Sequence, residues 1–129
     1  MKVLSNLVAV AIAVATIGLA SAALAAGSAP YDKAKFDKAQ AENQHIVVEV
    51  FKKGCPTCAA QQPGLNEARA KYPNAKFVVV DFMGEQAPVK RFEAVRQSTI
   101  IVYKGSKEVA RLVGETNKDA IVAAIAKGA

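Results

Sequence analysis

Cys55 and Cys58 are the only two cysteines in this chain of 129 residues. A disulfide between residues three positions apart closes a very small ring, so it constrains the unfolded chain little and stabilises a fold poorly. A redox cysteine reacts as its thiolate. The pattern therefore favours a reactive pair over a structural bridge, and the chemistry that such a pair supports is thiol–disulfide exchange.

The residues around the pair predict different roles for the two sulfurs. Pro56 suits the first turn of a helix, which would place Cys55 at a helix N-terminus, where unpaired N–H groups and the helix dipole stabilise an anion. The upstream Lys52 and Lys53 favour the same thiolate. Cys58 lies one turn deeper and is expected to be less exposed. We therefore predict that Cys55 is the nucleophile and that Cys58 resolves the mixed disulfide.

Glu49 interrupts an otherwise apolar strand six positions before Cys55. Strand alternation places it on the same face as Val47 and Phe51. One interpretation is a solvated glutamate on an edge or twisted strand. The favoured interpretation is a buried carboxyl beneath the cysteines, with a pKa raised by burial, that exchanges a proton with Cys58.

Other classes of site find less support in the sequence. A structural zinc site needs four ligands, and a single chain with two cysteines and one histidine, His45, supplies at most three. We therefore predict no metal ligands, although a metal or cluster shared between two chains stays open. The basic residues form no dense stripe with interleaved aromatic residues, so we expect no binding of nucleic acid.

The elements that must position these residues follow the order α, β, α, β, α, β, β, α. Strand, helix, strand over residues 45–82 predicts a parallel βαβ unit, and the Gly-containing connection after Tyr103 predicts an antiparallel hairpin. We expect an α/β fold with a four-stranded mixed sheet and helices on both faces. Gly27 to Pro30 is expected to be a short flexible lead. The predicted helices cover residues 31–43, 55–71, 87–95 and 117–127, and the predicted strands cover residues 45–51, 76–82, 99–103 and 108–113.

The first 25 residues have the layout of a secretory signal peptide. Lys2 precedes an apolar, Ala-rich run from Leu7 to about Ala20, and Ala23-Leu24-Ala25 fits the small-residue cleavage pattern. We expect cleavage after Ala25, a mature domain over residues 26–129, periplasmic localisation and no stable membrane insertion. Retention of the segment as a membrane anchor is the alternative. Loss of Lys2 would lower the net charge from +6 to +5.

From about Phe36 to its C-terminus the chain resembles a thioredoxin. The segment IVVEVFKKGCPTC is similar to that family's strand and active site, with Glu49 six residues before the first cysteine, Phe51 four before it and Pro63 five after the second. The segment TIIVYKGSKEVARLVG is similar to the family's C-terminal hairpin. The resemblance implies a thioredoxin-like fold, exchange with protein thiols and disulfides, no bound cofactor and a monomer. An electron donor or acceptor in the membrane would then set the direction of exchange.

The chain departs from the family at three places. Gly54 stands where the family has a tryptophan, and Pro56-Thr57 replaces the usual Gly-Pro. Ser98 stands where the family has a cis-proline that aligns the partner peptide. We expect the Gln97–Ser98 bond to be trans, because a cis bond without proline costs about 2.5–4 kcal/mol. The resemblance implies that Pro56, Thr57, Ser98 and Thr99 bind the partner, in an altered groove. A non-catalytic binding module and a dithiol metal carrier are the alternative functions.

Overall fold

The chain alternates between strands and helices up to the fourth strand, which is followed directly by a fifth strand and a last helix. The computed structural model describes residues 27–129. The predicted signal peptide lies outside these residues, so it stays a prediction. Within residues 27–129, no helix combines the length and the apolar character needed to cross a membrane. In chain order the elements are β1 (Ala29–Pro30), α1 (Lys33–Ala41), β2 (His45–Phe51), α2 (Pro56–Lys71), β3 (Lys76–Asp81), α3 (Gln86–Arg91), β4 (Thr99–Lys104), β5 (Lys107–Val113) and α4 (Lys118–Ala126).

The strands form one mixed sheet in the order β1-β3-β2-β4-β5. Strand β2 pairs parallel with β3 and antiparallel with β4, and β4 pairs antiparallel with β5. These four strands, the parallel β2–β3 pair and the antiparallel β4–β5 hairpin confirm the prediction. The predicted strand number is one too low, because Ala29 and Pro30 pair parallel with β3 and are not a flexible lead. A two-residue strand that contains proline has no alternation to reveal it, and proline is tolerated there because β1 is an edge strand.

The alternating side chains of β2 divide the core between the two faces of the sheet. Ile46, Val48 and Val50 pack with Phe36 of α1 and with the region of α3. Val47 belongs to a second cluster that contains the buried residues of α2 and α4. The predicted helices on both faces are therefore confirmed. Residues 47, 49 and 51 share the α2 face, as alternation requires.

Helices α2 and α4 approach each other at Gly64 of α2. A Cβ atom at this position would lie 2.9 Å from Cβ of Ile121 in α4, which is closer than packed carbon atoms approach. The absence of a side chain at Gly64 thus lets α4 pack directly on α2, the helix that carries both cysteines.

Helix α3 ends four residues earlier than predicted. The backbone of Glu93 is left-handed, with a φ of 50°, and this turns the chain away from the helical path directly after Phe92. As a result Val95, the last residue of the predicted helix, lies outside the helix and is 84% exposed. The predicted helix end was wrong because apolar spacing alone gives no sign of a left-handed residue.

The ends of two other helices and of the hairpin follow from local hydrogen bonds. Asp32 caps α1 by accepting from the backbone of Lys35, so the helix begins two residues later than predicted. Asn117 caps α4 by accepting from the N–H of Ala120. Strands β4 and β5 each extend further than predicted and leave a two-residue turn, in which Gly105 has a φ of 59°.

Candidate active site

The Cys55–Cys58 disulfide lies where β2 leads into α2. A turn over residues 52–54, in which Gly54 has a φ of 74°, brings Cys55 to the N-cap position of α2. The backbone N–H of Cys58 donates to Cys55 Sγ at 3.1 Å. Because N–H groups at a helix N-terminus favour negative charge, this donor can stabilise a Cys55 thiolate once the disulfide is reduced.

The two cysteines differ in exposure. Cys58 is 3% exposed, whereas Cys55 is half-buried. This confirms the predicted order of exposure and leaves Cys55 as the sulfur that a protein partner can reach. Pro56 is exposed and Thr57 is half-buried in the first turn of α2, beside the accessible sulfur. Their predicted contact with a partner stays a prediction.

Ser98 lies opposite the disulfide, immediately before β4. Its Oγ is 3.2 Å from each of the two sulfurs. The Gln97–Ser98 bond is trans, as predicted, since residues 27–129 contain no cis peptide bond. Thr99 is buried, and its Oγ1 donates to the carbonyl of Arg96 at 2.7 Å. The structure thus places both residues beside the site as buried groups, and their role in partner binding stays a prediction.

Glu49 is buried on the α2 face of the sheet, with 3% of its surface exposed. Its Oε1 accepts a hydrogen bond from Gln62 Nε2, and Arg69 Nη2 lies 3.4 Å from Oε2. Burial raises the pKa of Glu49, and the opposing effects of the Gln62 hydrogen bond and the Arg69 charge offset only part of this rise. The interpretation as a buried carboxyl is confirmed, and the solvated alternative is wrong. Proton exchange with Cys58 stays a prediction.

Polar side chains that were not predicted from the sequence surround Glu49 and Ser98. Gln61 is 1% exposed and donates from Nε2 to the carbonyls of Ser98 and Glu115, each at 3.0 Å. Arg69 also donates to Ser28 Oγ at 2.6 Å, which links the site to the start of the described chain. One signal could have found part of this group, because Gln61 and Gln62 follow Cys58 by three and four residues and so share its side of the helix.

An open cavity of about 520 Å³ lies beside the disulfide. Glu49, Gln62, Cys55 and Cys58 all contribute to its lining. Within residues 27–129, no hydrogen bond joins the Glu49 carboxylate to either sulfur. No group of three or more His, Cys, Asp or Glu side chains suited to a metal ion occurs in this part of the chain. The arrangement provides an accessible sulfur, a buried sulfur and a buried acid on one cavity.

Comparison with known families decides the relationship of the chain. The thioredoxin family model matches residues 28–127. The chain belongs to the thioredoxin family. The family and fold predicted from the sequence are therefore confirmed.

Individual thioredoxins share moderate identity with the chain. Thioredoxin-1 of Saccharomyces cerevisiae is 34% identical over 93 residues, which cover 70% of this chain and 87% of that protein. The thioredoxin of Chlamydia trachomatis is 28% identical over 82 residues, which cover 64% of this chain and 80% of that protein. Among solved structures, Trxlp from Edwardsiella tarda superimposes with a TM-score of 0.69 at 32% identity, over 73% of this chain and 93% of that one.

Membership and geometry together establish the class of activity. Thioredoxins are thiol–disulfide oxidoreductases that act on protein thiols and disulfides, and Cys55 and Cys58 form the disulfide that this chemistry requires. The chain is a thiol–disulfide oxidoreductase of the thioredoxin type, as predicted.

Proposed function

We propose that this thioredoxin acts in the periplasm after export and removal of residues 1–25. The signal-peptide layout of the sequence supports this proposal. A cut after Ala25 would leave every described element intact, since β1 begins at Ala29. It would also leave Ser28, the partner of Arg69, in the mature chain. An oxidising compartment suits a thioredoxin whose cysteine pair cycles through a disulfide.

The difference in exposure between the two sulfurs supports the role of Cys55 as nucleophile and of Cys58 as resolving cysteine. The proposed mechanism rests on this observation. The half-buried Cys55 attacks a partner disulfide as a thiolate, and the departing partner sulfur takes the electron pair of the broken bond. The buried Cys58 then loses its proton and attacks Cys55 Sγ within the mixed disulfide. The second partner sulfur leaves as a thiolate, so the partner is reduced by two electrons and the Cys55–Cys58 disulfide re-forms. The same steps in reverse oxidise a partner.

Glu49 is the proposed acceptor of the Cys58 proton. It is buried and lines the cavity that Cys58 also lines. Burial raises its pKa above that of an ordinary glutamate, which brings the carboxyl closer to the pH at which proton transfer is efficient. Since its hydrogen bonds go to Gln62 and Arg69, the proton would cross the cavity through solvent.

Reduction of insulin disulfides by the mature chain, residues 26–129, tests the proposed roles. The wild-type protein should reduce insulin when a small dithiol regenerates it. Cys55→Ser should abolish the activity. Cys58→Ser should also abolish turnover, but it should accumulate a mixed disulfide between Cys55 and the partner that mass spectrometry can identify. A Cys58→Ser protein that turns over normally would contradict the resolving role.

The direction of exchange follows from the reduction potential, measured by equilibration with a glutathione buffer. We propose that the mature protein is a monomer that exchanges electrons with a donor or acceptor in the membrane. A potential near that of thioredoxin, about −270 mV, would indicate a reductant, whereas a potential near that of DsbA, about −120 mV, would indicate an oxidant.

Fractionation of bacteria that express the full chain tests export. The protein should be found in the periplasmic fraction with Ala26 as its first residue. Full-length protein in the membrane fraction would support the anchor interpretation instead. Neither result alters the exchange assay, which uses the mature chain.

A further inference from the structure

The hydroxyl of Ser98 lies within hydrogen-bond distance of both sulfurs of the disulfide, at 3.2 Å from each. A hydroxyl has one proton to donate and two lone pairs to accept. Because the sulfurs of a disulfide carry no proton, the hydroxyl can act only as the donor toward them in this oxidised state. Ser98 is 2% exposed, so little solvent competes for that proton.

Hydrogen bonds from three parts of the fold hold the backbone of Ser98 in this position. Its N–H donates to the carbonyl of Val50 in β2 at 2.8 Å, and its carbonyl accepts from the N–H of Gly114 at 2.8 Å and from Gln61 Nε2 in α2 at 3.0 Å. Its φ of 60° lies in the left-handed region, which costs free energy for a residue with a Cβ atom. Such a conformation persists only where the surroundings determine it, so the direction of the Cα–Cβ bond is fixed.

We propose that Ser98 is a catalytic residue, whose hydroxyl stabilises whichever sulfur of the pair leaves with the negative charge. The proposal rests on the exchange reaction proposed above. When a partner is oxidised, a partner thiolate bonds to Cys55 Sγ, the Cys55–Cys58 bond breaks and the electron pair moves to Cys58 Sγ. A second partner thiolate then displaces Cys55, whose Sγ takes the electron pair. The Ser98 hydroxyl reaches both departing sulfurs.

The two sulfurs depend on Ser98 to different extents. Cys55 Sγ also accepts from the backbone N–H of Cys58 at 3.1 Å. Among the described residues, the hydrogen-bond partner of Cys58 Sγ is Ser98 Oγ alone. Loss of the hydroxyl should therefore slow the step in which Cys58 departs and also lower the fraction of Cys55 present as thiolate. Because the thiolate belongs to the reduced form, its loss should make the disulfide a weaker oxidant.

The variants Ser98→Ala and Ser98→Gly in the mature chain test this proposal. Both remove the hydroxyl, but Ala keeps the constraint of a left-handed residue with a Cβ atom, whereas Gly relieves it. Reduction of the disulfide by dithiothreitol, stopped with acid and followed by mass spectrometry, should slow at least about tenfold in both, as expected for loss of a hydrogen bond to a charged group. The alkylation rate of reduced Cys55 at slightly acidic pH should fall to a similar extent. A tenfold change in the redox equilibrium would shift the potential by about 30 mV toward more negative values.

Ser106→Ala is the matched control, because Ser106 is exposed in the hairpin turn at residues 105–106, away from the sulfurs. It should leave all three quantities unchanged. Reduction and alkylation rates of Ser98→Ala and Ser98→Gly within twofold of the wild type would overturn the proposal. An effect in Ala that Gly lacks would also overturn it, since the backbone would then be responsible. These assays use small reagents, so they can succeed even if the chain fails to exchange with protein partners.

Discussion

The Ser98 side and the Glu49 side of the disulfide differ in charge and in distance from the sulfurs. On the first side a neutral hydroxyl contacts both sulfurs at 3.2 Å. On the other, Glu49 and Arg69 form an ion pair with 3.4 Å between Oε2 and Nη2, and the carboxylate makes no hydrogen bond to either sulfur. A hydrogen bond acts only in contact, whereas a buried charge acts over several ångströms of weakly polar protein.

Two groups with different chemistry flank the disulfide, and different hydrogen bonds position each of them. Ser98 is held by backbone groups of Val50 and Gly114 and by the side chain of Gln61. Glu49 is held by the side chains of Gln62 and Arg69. The hydrogen bonds that position Ser98 are not shared with Glu49. A substitution at one of these residues should therefore leave the chemical role of the other in place. Changes in sulfur chemistry and changes in proton transfer should therefore be separable by mutation.

The largest effect is expected from Glu49→Gln, which keeps the shape of the side chain but removes its ability to take a proton. Resolution of the mixed disulfide should slow by about 100-fold at neutral pH, the lower range for loss of a general base. Rapid acid quench after mixing with a partner disulfide measures this rate. Glu67→Gln is the control, because Glu67 is a partly exposed residue of the same helix that pairs with Lys118. An unchanged rate in Glu49→Gln would remove Glu49 from the mechanism.

On the other side, Ser98→Pro should destabilise the protein although it introduces the residue that thioredoxins usually have there. Proline fixes φ near −65° and has no N–H, whereas Ser98 has a φ of 60° and donates to the carbonyl of Val50. The unpaired buried carbonyl alone should cost about 1–3 kcal/mol. Urea unfolding of the oxidised protein measures the loss. Equal stability of Ser98→Pro and wild type would show that this backbone is not fixed as described.

Arg69→Met should change the pKa of Glu49 and the unfolding free energy, but not the contacts of Ser98 with the sulfurs. Removal of the guanidinium leaves the buried carboxyl without its cation, so the pKa of Glu49 should rise further, since the Arg69 charge now lowers it. The protein should lose roughly 1–3 kcal/mol of unfolding free energy at neutral pH. The carboxyl carbon resonance of Glu49 as a function of pH reports the pKa.

Lys118→Met, which removes a cation from the exposed pair with Glu67, should cost much less than Arg69→Met because solvent screens that pair. Arg69→Met should also leave unchanged the rate at which dithiothreitol reduces the disulfide. A slower reduction would show that the two sides are coupled.

Local sequence patterns predicted the central strand of the sheet and the position of Cys55 at the start of α2. The apolar strand His45–Phe51 was predicted to the residue, because a continuous β-branched run bounded by Lys-Lys-Gly is a strong local signal. The burial of Glu49 followed from strand alternation in the same way. Cys55 at the N-cap followed from Pro56, since proline favours the first helical turn.

Contacts between distant parts of the chain were not predictable. Arg69 lies 20 residues from Glu49 and 41 from Ser28, and nothing in the sequence around Arg69 marks it as buried. The left-handed backbone of Ser98 depends in the same way on Val50 and Gly114. Sequence showed which residue replaces the proline, but only the packed structure shows that its hydroxyl faces both sulfurs.

The smallest expected effect is on the pH dependence of the unfolding free energy, which depends on the charge of Glu49. Burial raises the pKa of Glu49 in the folded protein, so between its unfolded and folded values the folded state binds more protons. The contribution of Glu49 to the unfolding free energy is then fully present below its pKa in the unfolded chain. It is lost as pH rises through the pKa of Glu49 in the folded protein.

Urea unfolding of Glu49→Gln and of wild type from acidic to neutral pH should show this difference. The unfolding free energy of the wild type should fall relative to that of the variant as pH rises, because the neutral amide has no proton to lose. Glu67→Gln should follow the wild type over the same range. An unfolding free energy of the wild type that rises relative to that of Glu49→Gln as pH rises would mean that the Arg69 charge outweighs burial. Glu49 would then be a permanent anion rather than a group able to hold the Cys58 proton.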